Sequence, residues 1–277
     1  MTFKFNVTQS GKVLVNPHRG DCLFYPENTL PAFQSAVDKG VTCIEIDIAM
    51  TADNHLVVIH DPSIDRTSNG SGYVEQMSLT ELQQFDFGAW FGEKHVSTPI
   101  STFEEILDWA INNGVGLVVE AKQRRRHEEF ARTFVQLMKG KDQVALEHIL
   151  LLSFDHTLIN RVKTLLPEVA LQVVTLARYQ DQLGAVLASN AQSVCVEYPH
   201  VTEEVLMQYK QAGLSTRLFL PNKGNNVNTA RWFDTYYGYD VYNEIISWIN
   251  KGLIDMLSHD DIDMISAMIR EAEMEPI

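Results

Sequence analysis

Four short runs within the first 61 residues decide the fold: Val13-Leu14-Val15-Asn16-Pro17-His18-Arg19-Gly20, Pro26-Glu27-Asn28-Thr29, Cys43-Ile44-Glu45-Ile46-Asp47-Ile48-Ala49 and Val57-Val58-Ile59-His60-Asp61. Two imidazoles, an arginine and a pair of carboxylates fall at or just beyond the ends of apolar runs, which is where an α/β scaffold presents its chemistry. In the third run Ile44, Ile46 and Ile48 alternate with Glu45 and Asp47. Both carboxylates therefore leave a strand on the same side, close enough to share one cation.

Outward from these runs the chain alternates strand and helix signals. A strand is expected at Lys12 to Asn16, and Thr29 is placed to cap a helix from Leu30 to Lys39, with Pro31 in its first turn and Gly40 at its end. Thr51 to Asn54 reads as a turn and His55 to His60 as a strand hairpinned onto Cys43–Ala49. Alternation along such a strand would send His60 and Asp61 to opposite faces, leaving Asp61 to fix the loop. Residues 51–98 form a small insertion after the second strand, rich in glycine, with one short helix at Leu79 to Phe85 and no second core of its own.

From Thr102 the order is regular. Helices are expected at Phe103–Asn112, Glu128–Met138, His156–Leu166, Gln180–Ala188, Glu203–Ala212 and Val241–Lys251. Strands are expected between and after them at Gly116–Ala121, His148–Ser153, Ala170–Thr175, Ser193–Glu197, Thr216–Leu220 and Leu253–Ser258. With the Val13 and Cys43 runs this makes eight strands, the arithmetic of a TIM (β/α)8 barrel rather than an open doubly wound sheet. Residues 223–242, with Asn225, Asn226, Asn228, Trp232, Tyr236, Tyr237 and Tyr239, interrupt the pattern as an atypical loop. It reads either as a surface loop packed by its own aromatics or as a lid.

The chain has 277 residues, 45% of them hydrophobic, which one barrel domain accommodates. The N-terminal stretch lacks a secretory apolar core, no run of 18 apolar residues proposes a membrane span, and Cys22, Cys43 and Cys195 have no thiolate-metal spacing. A cytoplasmic setting is expected. A net charge of −14 argues against nucleic acid or an anionic membrane as partner. An acidic protein acting on a phosphate ester needs local positive potential, from a bound cation or a few placed basic residues.

Glu45 and Asp47 alone could be the polar face of an edge strand. Inside a barrel such carboxylates are expensive unless they have a use, and the problem recurs at Glu120, which closes Leu117-Val118-Val119 two residues before Lys122. Three carboxylates at the ends of neighbouring strands make a hard oxygen site for one divalent cation, Mg²⁺ or Ca²⁺. His18 and His60 flank it as a general acid and base pair, and Arg19 and Lys122 offer positive charge to phosphate oxygens. The residues together imply metal-assisted cleavage of a small-molecule phosphodiester. Arg124, Arg125 and Arg126 form a short basic run outside this set.

These runs, with Arg66-Thr67, Gly70 and Gly72, Glu120-Ala121-Lys122 and Ser153-Phe154, resemble the glycerophosphodiester phosphodiesterase family over nearly the whole chain. The resemblance implies a TIM barrel that cleaves glycerophosphodiesters to sn-glycerol 3-phosphate and an alcohol. Its catalytic histidines fall on His18 and His60, its metal carboxylates on Glu45, Asp47 and Glu120, and its phosphate-contacting arginine and lysine on Arg19 and Lys122. It also implies attack by the glycerol 2-hydroxyl through a cyclic phosphate. Two departures stand out. The family's tryptophan after the seventh strand is Phe219, which keeps an apolar substrate wall without the indole donor, and its glycine-rich approach to a final Thr-Asp becomes Gly252 to Asp260. Two other readings remain: a lysophospholipase D-like or cyclising enzyme on a larger lipid-like diester, and a non-catalytic barrel that binds phosphorylated ligands.

Overall fold

Short β-branched and leucine-rich runs, most of them followed by an amphipathic stretch, fold as parallel strands wrapped by helices. The computed structural model describes residues 3–224 and 227–277, so Asn225 and Asn226 of the atypical segment lie outside the described residues. In chain order the elements begin with β1 (Lys12–Pro17), α1 (Leu30–Asp38), β2 (Cys43–Met50), β3 (Leu56–Val58), α2 (Leu79–Leu82), α3 (Phe103–Asn113) and β4 (Gly116–Ala121). They continue with α4 (His127–Lys139), α5 (Gln143–Glu147), β5 (Ile149–Ser153), α6 (His156–Leu165), β6 (Leu171–Thr175), α7 (Gln182–Leu187), β7 (Ser193–Glu197) and α8 (Glu203–Gln211). The last are β8 (Ser215–Phe219), α9 (Thr229–Tyr237), α10 (Val241–Asn250), β9 (Met256–His259), α11 (Ile262–Glu271) and β10 (Glu275–Pro276).

The parallel strands follow one another around a curled sheet as β2, β4, β5, β6, β7, β8, β9 and β1. The ring closes between β1 and β2 through one parallel bridge, His18 to Glu45, where the Arg19 amide donates to the Glu45 carbonyl at 3.0 Å. The expected (β/α)8 barrel is the fold the chain adopts. β3 hangs antiparallel on β2, and β10 pairs with the first residues of β1.

Alternation along each strand splits the apolar side chains into two sets. Residues such as Val13, Ile44, Ile46, Val119 and Leu218 face the helices, whereas Leu14, Cys43, Val118, Leu150 and Met256 fill the interior. Phe3, Phe5, Val7 and Ile277 pack against this inner set and close the N-terminal end. Gly116 makes room for them, since a β-carbon there would lie 2.2 Å from Phe3 Cε1. With that end plugged by apolar side chains, the charged inward residues collect at the other end, beyond the strand C-termini.

Four local expectations are corrected. The strand at His55–His60 shortens to Leu56–Val58, so His60 and Asp61 sit in a turn and the alternation that would separate them does not apply. The 51–98 excursion does have a small apolar cluster, including Val57 of β3, Leu82 of α2 and the loop residues Ile64 and Phe87, whose spacing shows no period. Thr29 occupies the N-cap of α1, but its hydroxyl donates to the Pro26 carbonyl at 2.6 Å instead of capping the helix. The 223–242 segment is not simply a loop, because it contains α9. Asn228 caps that helix by accepting from the Arg231 amide at 3.1 Å, and Gly238 ends it in the left-handed region at φ 75°. Trp232 stacks on Tyr236 and Phe233 on Tyr237, each pair one helical turn apart. No described helix is long and apolar enough to cross a membrane.

Candidate active site

The ends of β1, β2 and β4 deliver the first groups. β2 and β4 pair in register with Asp47 opposite Glu120, and Glu45 lies two residues earlier on the same face. Glu45, Asp47 and Glu120 are all buried and offer oxygens within 4.8 Å of one another. Among the described residues, Glu45 Oε1 and Asp47 Oδ1 have no hydrogen-bond partner. Burial and then the Asp47 charge hold the Glu45 carboxyl above its usual range, and the same two causes push Glu120 up to about 7. Asp47 goes the other way: burial would raise it, but Arg19 and Lys122 keep it ionised.

The loop after β1 is folded to serve this cluster. Arg19 and Asn28 both take positive φ, 66° and 57°, conformations uncommon outside glycine. At Gly20, φ 83°, a β-carbon would fall 2.9 Å from Phe33 Cδ1, so the turn there needs glycine. The strained turn aims the Arg19 amide at Glu45 Oε2, 3.1 Å away, while its guanidinium reaches Glu27 Oε1 at 2.9 Å. Arg19 Nε also lies 3.1 Å from Asp47 Oδ2, an ion pair too bent to count as a hydrogen bond. Asn28 clamps Asp47 at both ends: its Nδ2 donates to Oδ2 at 2.8 Å, and its Oδ1 accepts from the Asp47 amide at 3.1 Å. Lys122 Nζ bonds Glu120 Oε1 at 2.7 Å and lies 3.5 Å from Asp47 Oδ1.

Each imidazole is tied to a carboxylate through Nδ1. His60 bonds Asp61 at 2.6 Å, and His18 bonds Asp260 at 2.9 Å. Asp61 is anchored by Arg66 at 2.7 Å, whose fork also grips Glu27 at 2.6 and 2.8 Å, so the network runs from Arg19 to His60. Arg66 is the largest reason that Asp61 is held down at about 2, with His60 adding to it against partial burial. Asp260 also sits at about 2. Its burial works against this and is outweighed by His18, with a further hydrogen bond from Asn222 at 2.6 Å. Burial lowers both histidines. Glu45 and then Asp260 reverse this at His18, whereas at His60 Asp47 raises the value, yet burial, Arg19 and Lys122 leave it below the ordinary imidazole range. Phe219 meets the His18 ring edge-on, with centroids 5.2 Å apart.

All eight side chains expected from the sequence thus gather at one mouth: His18, His60, Arg19, Lys122, Phe219, Glu45, Asp47 and Glu120. Seven of them line a cavity of about 220 Å³ whose far wall is Leu152, Phe154, Val174 and Leu176. Asp47 lies just beneath, fully buried. Three groups went unrecognised in the sequence. Asp260 follows β9 as Lys122 follows its strand, and it ends the stretch that stands in place of the family's final Thr-Asp, without a stated part. Asn28 stood in a motif without a stated part. Arg217 is a buried guanidinium inside the barrel that also lines the cavity; its Nη2 donates to Ser258 Oγ at 2.8 Å and its charge helps offset Glu45. His259 lies apart, bonded to Thr229 and the Asp261 amide.

The donor set suits a hard divalent cation. The donors are all carboxylate oxygens, and among the described residues two of those oxygens lack hydrogen-bond partners.

Known proteins resemble this chain in sequence and in fold. A glycerophosphodiester phosphodiesterase from Caldanaerobacter subterraneus is 31% identical over 204 residues, 73% of this chain and 83% of that one. The solved structure of a phosphodiesterase from Oleispira antarctica, in complex with the product sn-glycerol-3-phosphate, has a TM-score of 0.76 at 24% identity and covers 95% of this chain and 98% of its own. A glycerophosphodiester phosphodiesterase from Agrobacterium tumefaciens has a TM-score of 0.68 at 23% identity, covering 92% and 99%. Those two structures establish the shared fold. The model of the glycerophosphoryl diester phosphodiesterase family matches residues 18–264, from the first imidazole into α11, and the chain belongs to that family.

Proposed function

We propose that the protein hydrolyses glycerophosphodiesters to sn-glycerol 3-phosphate and an alcohol, with one divalent cation, Mg²⁺ or Ca²⁺, held by Glu45, Asp47 and Glu120. The observation that carries this reading is the convergence at one mouth of a buried three-carboxylate cluster, two cationic side chains and two imidazoles each tied to a carboxylate. When bound, the cation supplies positive charge to a non-bridging phosphate oxygen.

The other roles fall to the chain itself. Arg19 and Lys122 hold phosphate oxygens, and the Glu27 and Glu120 contacts keep both cations aimed at the mouth. A carboxylate on Nδ1 favours the Nδ1–H tautomer, which leaves Nε2 of His18 and His60 to exchange protons with substrate. One ring takes the proton of the attacking hydroxyl and the other protonates the departing alkoxide, whether the attacker is water or the glycerol 2-hydroxyl. Phe219 gives the glycerol carbons an apolar face and limits how far the His18 ring can turn. The reading as a lipid-gripping enzyme has less support. Trp232, Tyr236, Tyr237 and Tyr239 pack on one another and near Tyr198, and among the described residues none lines the cavity.

The test is release of glycerol 3-phosphate from glycerophosphocholine. Activity is expected with Mg²⁺ or Ca²⁺, is lost in EDTA, and falls on the order of 10²–10⁴-fold in His18→Ala or His60→Ala. Full activity in chelator overturns the cation site, and no turnover of any glycerophosphodiester overturns the function.

A further inference from the structure

Two of the spaces that adjoin the phosphate site share both His60 and Lys122. One is the smaller cavity of about 220 Å³. The other is a groove of about 640 Å³ between residues 73–76 of the excursion and the loop 123–126 that follows β4. A phosphodiester has two ester arms and needs room for both. Glycerol is the small, constant arm and fits the smaller side, so the variable alcohol falls to the larger groove.

The charge of that groove is unusual for this chain. Its wall carries Arg124, Arg125 and Arg126, although the protein's net charge is −14. Arg126 has a structural use. It sits at φ 54°, donates from Nη1 to the Thr51 carbonyl at 2.9 Å, and reaches Asn54 with Nη2, pinning the loop to the turn before β3. Arg124 and Arg125 are exposed, and among the described residues neither enters an ion pair or a side-chain hydrogen bond. The two carboxylates of the groove are already engaged. Asp61 is held by His60 and Arg66, and Glu75 accepts from Gln123 Nε2 at 2.7 Å. A surface rich in carboxylates has left two adjacent guanidiniums without partners among the described residues, beside a phosphate site. Their planar forks match an oxyanion better than they match a polyol or an ammonium group.

We propose that Arg124 and Arg125 bind a further phosphate group on the leaving alcohol, so that the preferred substrate is a glycerophosphodiester with an anionic alcohol arm. This rests on the hydrolysis proposed for the neighbouring site. The overall hydrolysis is unaltered: the P–O bond to the alcohol breaks, a P–O bond to the oxygen of water forms directly or on opening of a cyclic phosphate, and the alcohol leaves protonated with its own phosphate intact.

The test compares glycerophosphoglycerol with the same diester phosphorylated on its terminal hydroxyl, and uses glycerophosphocholine as a cationic control. At low ionic strength the wild type should show a KM about tenfold lower for the phosphorylated diester, a preference that shrinks as salt rises. The Arg124→Ala/Arg125→Ala double variant should lose that preference through KM alone and leave the other two substrates unchanged. Equal kcat/KM for the matched pair in the wild type, or an equal loss on all three substrates in the variant, overturns the proposal. If none of the three is hydrolysed, the proposed function fails. Calorimetric titration of the matched pair into the His60→Ala protein then still decides the point: about tenfold tighter binding of the phosphorylated diester supports it, and equal affinity overturns it.

Discussion

Asp260→Asn probes the member of the site least visible in the sequence. The carboxylate of Asp260 lies 2.9 Å from His18 Nδ1 and 2.6 Å from Asn222 Nδ2, at the end of β9 and 242 residues from the imidazole it touches. Its surroundings hold it at about 2. Set against an ordinary value near 3.9, that is about 2.5 kcal/mol of net favourable interaction, and it bounds what the charge can give to His18. Asparagine keeps the shape and an oxygen that can still accept from Nδ1–H, so the ring should stay in place while losing its charged partner. The expected result is a fall in kcat of about 10- to 60-fold, the upper figure being the whole of that energy, with KM nearly unchanged. Initial rates on glycerophosphocholine with saturating cation measure it, and a melting curve checks that the variant is folded. The same substitution in a His18→Ala background should change little, because its effect passes through that ring. A kcat within twofold of wild type, or a full additional loss without His18, would refute the reasoning.

Other parts of the molecule make equally definite predictions. Mg²⁺ or Ca²⁺ at about a hundred times its Kd should stabilise the protein by ~2.7 kcal/mol, several degrees in Tm, and Asp47→Asn should abolish the shift; a flat response to both ions would contradict the cation site. Asn28→Ala removes both hydrogen bonds that orient Asp47, so the cation concentration for half-maximal activity should rise about 10- to 100-fold, read from activity against added Mg²⁺. Asp255 accepts from Lys210 at 2.7 Å, Thr8 at 3.0 Å and the Thr216 amide at 2.9 Å while fully buried. Asp255→Ala should therefore cost about 3–5 kcal/mol in urea denaturation, with the specific activity of the folded protein unchanged. Acid stability follows from Asp61 and Asp260. Both are held at about 2 when folded, below an unfolded value near 3.9, so their stabilisation is complete above about pH 4 and is lost as pH falls toward 2. Denaturation midpoints of Asp61→Asn should accordingly converge on wild type at the acid end, with a smaller effect than at Asp260 because Asp61 pairs with a half-exposed Arg66.

Much of the architecture was legible because its determinants are short-range. Period-two alternation in Cys43–Ala49 put Glu45 and Asp47 on one side of a strand, and the place of Glu120 at the close of the apolar run Leu117–Val119 pointed to the third carboxylate at the same mouth. The position just after a strand identified His18 and Lys122. The helix α9 was also written locally, in the Asn228 cap and the Gly238 stop, but the aromatic composition between them drew attention to a loop instead.

What the sequence by itself determined was the (β/α)8 order, the barrel end that carries the chemistry, and the residues at the strand ends. Those follow from backbone period and apolar pattern, which neighbouring residues set. Only the tertiary structure decided which carboxylate holds which imidazole. The Asp61 contact exists because β3 stops at Val58 and lets the chain turn, and the Asp260 contact exists because β9 lies beside β1 with His259 opposite Pro17. It also decided that Arg217 would be a buried charge and that Arg19 and Asn28 would sit at positive φ. Ring closure through a single bridge at Glu45 depends on how the strands stagger around the barrel, and no local pattern of residues encodes that stagger.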